Sequence, residues 1–77
     1  MPILTAKNEK KFVKIMNNYY NGNLSDFNKS VKRLTKYELL LFMFETAQYE
    51  NSILYNSNYG PREKILFENA LLRALES

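Results

Sequence analysis

The chain has 77 residues, with 11 Lys and Arg against 8 Asp and Glu, no His and no Cys, for a net charge of +3. A chain this short forms one domain and buries only about 60 to 65% of its unfolded surface, so a deep substrate cavity would consume core that it needs. The missing Cys and His remove disulfides, thiolate nucleophiles, cysteine metal sites and the usual general base and metal ligand.

Other classes fall away on local grounds. Two glycines are too few for a Gly-rich phosphate loop. The opening MPILTAKNEKK lacks the basic-then-apolar order of a signal peptide, and the longest apolar run, LLLFMF, is far short of the ~20 residues that span a bilayer. The expectation is a cytoplasmic protein without membrane association, whose first few residues are disordered. Two glycosylation patterns, Asn23-Leu24-Ser25 and Asn28-Lys29-Ser30, are read as chance. Heavy use of Asn, Lys, Tyr and Ile is associated with AT-rich genomes, and so with low-GC bacteria, phages and mobile elements.

The pattern predicts four helices. In the first, Thr5 is a fitting N-cap, and Phe12, Val13, Ile15, Met16, Tyr19 and Tyr20 share an arc of about 160°, with Lys7, Lys10, Lys11 and Lys14 opposite. Asn21-Gly22-Asn23 stops it, because Gly and Asn accept the left-handed backbone that closes a helix. A second helix is expected to start from a Ser25 cap. Leu24, Phe27, Val31 and Leu34 form a stripe only about 80° wide, which predicts a peripheral element, with Lys29, Lys32 and Arg33 facing away.

The third helix opens on Thr35-Lys36-Tyr37-Glu38, the spacing of a capping box. It continues through LLLFMFETAQYE. Leu39, Leu40, Met43, Phe44 and Ala47 make its broad face, while Leu41, Phe42 and Tyr49 spread apolar character around the rest, which predicts a central helix touched on several sides. Residues 51–60 have no sustained period and read as a loop anchored by Ile53 and Leu54. The last helix begins at Pro61, whose missing N–H costs nothing in a first turn, and runs to about Leu75. Its main face is Leu66, Phe67, Ala70, Leu71, Ala74 and Leu75. The fold class is all-α: a small bundle of about four helices with one longer loop before the last.

Catalytic chemistry finds little to work with. Glu38 and Glu45 share a helix face, but a carboxylate pair at that spacing is ordinarily a solvated side, and Glu38 already serves a cap. A non-enzymatic protein with no cofactor and no metal site is expected.

Charge gives the stronger signal. Residues 1–36 hold eight Lys or Arg against Glu9 and Asp26, for +6, while residues 37–77 hold three against six Glu, for −3. Adjacent first and second helices would place Lys7, Lys10, Lys11, Lys14, Lys29, Lys32 and Arg33 on one side, able to meet phosphates or an acidic protein. Tyr19 and Tyr20 could stack on unpaired bases, but both lie on the apolar arc and core packing suits them better. A helix-turn-helix does not fit, since the third helix is too apolar for a major groove.

A second signal is on the last helix. Ile65 and Leu72, seven residues apart, sit opposite its main apolar face. They fit a homodimer seam or a docking strip for another protein, or else lie beneath the 51–60 loop. Tyr55 and Tyr59 in that loop are of the kind enriched at binding surfaces. The functional expectation is therefore a small helical interaction protein that binds a protein partner and modulates it. The alternative is a nucleic-acid-binding accessory protein using the basic face.

Overall fold

Residues 4–48, 52, 54, 55 and 60–76 are described by the computed structural model. They form α1 (Ala6–Tyr20), α2 (Leu24–Lys32), α3 (Lys36–Ala47) and α4 (Pro61–Glu76), with no strand among them, so the chain is an all-α bundle. Tyr49, Glu50, Ile53 and Tyr59 lie outside the described residues.

Each helix begins or ends for a local reason. Asn8 N–H donates to the Thr5 hydroxyl at 3.2 Å, capping α1. At its other end Gly22 takes φ 77. There Gly22 N–H reaches the Tyr19 carbonyl at 3.1 Å and Asn23 N–H the Asn18 carbonyl at 2.9 Å, the paired closure of a Schellman motif. That closure sets the chain up to start a new helix at once. Phe27 N–H donates to the Asn23 carbonyl, so α2 starts from Asn23, whose side chain makes no cap bond, and Ser25 lies inside the helix rather than capping it. The Thr35 capping box is complete: Glu38 N–H donates to the Thr35 hydroxyl at 3.1 Å and Thr35 N–H to the Glu38 carboxylate at 2.9 Å. At α4, Gly60 N–H donates to the Glu63 carboxylate at 3.0 Å, the returning half of such a box.

One phenylalanine from each helix makes the centre of the core. Phe12, Phe27, Phe42 and Phe67 are all 0% exposed. Phe12 meets Phe42 with ring centroids 5.1 Å apart, and Phe67 meets Phe27 at 6.0 Å and Phe42 at 6.2 Å, mostly edge to face. Tyr19 closes on Phe67 at 5.2 Å and on Phe27 at 5.5 Å. Ile15, Met16, Val31, Leu41, Leu54, Leu71 and Ala74 complete the buried set. Of the loop anchor, Leu54 is buried and its carbonyl accepts from the Tyr20 hydroxyl at 2.8 Å. Ser52 accepts from Leu54 N–H and donates to Glu45.

Two expectations about helix placement are corrected. α2 packs on more than the one line its stripe suggests: its backbone comes close to both α1 and α4. Its stripe is narrow, but Phe27 and Val31 are fully buried and the half-buried Ser30 beside them is small enough for a neighbour to come near. α3 turns the other way from its broadest apolar face. Leu41, Phe42 and Thr46 point inward, whereas Leu40 and Met43 are 59% and 40% exposed and Ala47 is also exposed. On α4, Phe67, Leu71 and Ala74 are buried as expected, but Leu66 is half exposed and Leu75 lies at the edge. None of the described helices is long and apolar enough to cross a membrane.

Candidate interaction surfaces

Side chains on α1 and α2 bring the basic residues together. Lys7, Lys10, Lys11, Lys14, Lys29, Lys32 and Arg33 are all exposed. Where the two helices meet, Lys11, Lys14, Ser30 and Arg33 rim a cleft of about 200 Å³ floored by Ile15 and Leu34. Lys11 is tied across to the Glu38 carboxylate at the start of α3. The Lys11 ammonium, then the Thr35 N–H, pull the Glu38 carboxyl from an ordinary 4.5 to about 2. Tyr19 and Tyr20 do not join this surface. They pack inward on the core, so neither ring is offered for stacking on an unpaired base.

The second surface spans α3 and α4. Ile65 and Leu72 are 59% and 53% exposed, while most of the 51–60 loop proposed to cover them lies outside the described residues. Leu72 and Leu71 line a groove of about 210 Å³ with Met43, Thr46 and Ala47 of α3, bordered by Lys64 and Glu68. That pair is an i, i+4 ion pair at 3.4 Å. Inside the groove wall, the Thr46 hydroxyl donates to the Met43 carbonyl at 3.1 Å.

Tyr55 belongs to the interior more than to either surface. Its ring stands edge-on to Phe67 at 5.9 Å, and burial, helped by the Glu68 charge, pushes its phenol well above the usual range, so it stays protonated. The two carboxylates that share a face of α3 each have structural work. Glu38 closes the capping box and pairs with Lys11, while Glu45 accepts from the Ser52 hydroxyl at 3.4 Å.

Sequence periodicity missed Leu40, Met43 and Ala47 as surface residues. The signal was present in the same helix, which is apolar on every side between Glu38 and Glu45, so whichever face packed inward would leave another outside. No family model, curated protein or solved structure matches the chain.

Proposed function

We propose that the chain is a non-enzymatic helical interaction protein that binds a protein partner across the α3/α4 face and modulates it by occupying its surface. The observations that support this are the exposed apolar residues of the two helices, Leu40 and Met43 on α3 and Ile65 and Leu72 on α4, each 40 to 59% exposed, and the groove that Met43 and Leu72 share. Fully burying a side chain of this kind is worth about 1.5 to 3 kcal/mol, so a partner helix laid in the groove gains from covering Met43 and Leu72. Leu72 and Met43 share that groove and are its natural centre.

The test uses Met43→Glu combined with Leu72→Glu. Both positions are exposed, so the double variant should melt with the wild type. In nuclease-treated lysate the wild type should capture a protein that the variant loses. If sedimentation shows a wild-type dimer that becomes a monomer in the variant, the partner is a second copy in an isologous contact. A variant that keeps every interaction sinks the proposal.

A nucleic-acid reading retains one supporting observation, the exposure of all seven cations on α1 and α2. It requires that capture vanish on nuclease treatment and that log affinity fall with log salt, by about 0.9 per phosphate on duplex DNA.

A further inference from the structure

The cations at the α1/α2 cleft are not equivalent. Lys11 is committed to Glu38, whereas neither Lys14 nor Arg33 has a carboxylate partner among the described residues. The lining contains no acidic side chain, but it does contain the Ser30 hydroxyl. Beneath lie Ile15, 2% exposed, and Leu34, which packs on the core. Two uncompensated positive charges, a donor and an apolar floor therefore face the same small volume. A planar guanidinium takes a carboxylate in two parallel hydrogen bonds, and the ammonium beside it adds an unoriented charge.

We infer that this cleft is the receptor for an acidic, partly apolar segment of a protein partner, with a carboxylate on Arg33 and Lys14 and its apolar neighbour on Ile15 and Leu34. The inference rests on the reading of the chain as a protein-binding module and supplies the chemistry of what it binds. Two features favour a peptide over a nucleic-acid strand. The apolar floor offers nothing to a phosphodiester, and no aromatic ring lines the cleft to hold an unpaired base. The acidic partner is also the complement of the +6 carried by residues 1–36.

Amide chemical shifts of the full chain, followed during titration, test this. Four probes serve: a short acetylated peptide alternating Glu and Leu, a Glu and Ser peptide of equal length, a Lys and Leu peptide, and oligothymidylate. The Glu and Leu peptide should shift the amides of Lys14, Ser30, Arg33 and Leu34, the Glu and Ser peptide should bind more weakly, and added salt should weaken both. Loss of a charge-assisted contact in Arg33→Gln should lower affinity about tenfold or more. Arg73→Gln, on α4 and outside the cleft lining, should leave it unchanged. Lys14→Glu with Arg33→Glu should transfer preference to the Lys and Leu peptide. The Met43→Glu, Leu72→Glu variant should still bind the acidic peptide, so failure of the α3/α4 reading and failure of the cleft are separate results. The inference is overturned by an absence of shifts, by equal damage from Arg73→Gln, or by oligothymidylate displacing the peptide from the same amides.

Discussion

α1 and α3 are both apolar along one face, yet only α1 packs the way its pattern implies. In α1, four lysines occupy the side opposite Phe12, Ile15 and Met16, so charge and apolarity agree on which side is wet. In α3, Leu39-Leu40-Leu41-Phe42-Met43-Phe44 contains no polar residue, and no charged side fixes the rotation about the helix axis. Packing decides it: the fit of Phe42 between Phe12 and Phe67 turns Leu40 and Met43 outward. Periodicity thus reports orientation only where the two sides of a helix differ. A helix apolar all round has its orientation set by its neighbours, and its remaining face becomes a surface with something to bind.

The sharpest test of this comparison is within α3. Phe42→Ala should cost about 3 to 5 kcal/mol, a large part of the stability of a domain this size. Leu40→Ala, two residues earlier in the middle of the same apolar run, should change stability by no more than about 0.5 kcal/mol. Guanidinium denaturation of the two variants reads both numbers. A reversed order would mean that α3 faces the core with its broad face after all. Phe67→Ala should be at least as damaging as Phe42→Ala, since four rings converge on it.

Smaller effects are expected at the helix ends. Gly22→Ala must hold a Cβ at φ 77, at a cost of about 1 to 2 kcal/mol. Nothing lies within 4 Å of that Cβ, so the whole loss is backbone strain, and Gly22→Asn should recover part of it. Thr35→Ala should lose about 0.5 to 2 kcal/mol, and Thr5→Ala should fall at the lower end of the same range. Thr35 stands in a reciprocal box and Thr5 accepts a single bond. Thermal melts that rank Thr5 above Thr35 would show that the box adds nothing.

These ends are also what the sequence made legible. The Thr5 cap, the Asn-Gly-Asn stop, the Thr35–Glu38 box and the Pro61 start each depend on residues no more than five apart, so the pattern contains the whole interaction. The start of α2 was misread because the Schellman closure at Gly22 and Asn23 leads straight into the helix, whose first hydrogen bond runs from Phe27 N–H to the Asn23 carbonyl, two residues before Ser25. The approach of α2 to both α1 and α4, the meeting of Lys14 with Arg33 at one cleft, and the groove shared by Met43 and Leu72 are tertiary facts. The basic cleft was half legible. Its charges could be counted, but which of them lacked a partner depended on Glu38 reaching back from α3 to Lys11.

That ion pair gives the smallest expected effect, and one that links the two halves of the molecule. Glu38 titrates near 4.5 in an unfolded chain and near 2 in the folded one, held down first by Lys11 and then by the Thr35 N–H. A carboxyl lowered by folding adds stability that is fully present above its unfolded value and is lost as pH falls toward its folded value. Melting temperature should therefore decline between about pH 4.5 and about pH 2 through this group. In Glu38→Gln that part of the decline should disappear while the amide still accepts from Thr35 N–H, and the variant should already sit lower at neutral pH. The Lys11 side chain is 41% exposed, so salt should shrink the difference between wild type and variant. Lys11→Gln should remove the largest single contribution to the pH dependence and leave the remainder that comes from the cap. If Lys11→Gln leaves the acid limb of the stability curve unchanged, the bridge between α1 and α3 contributes nothing in solution, and the cap alone holds the Glu38 carboxylate.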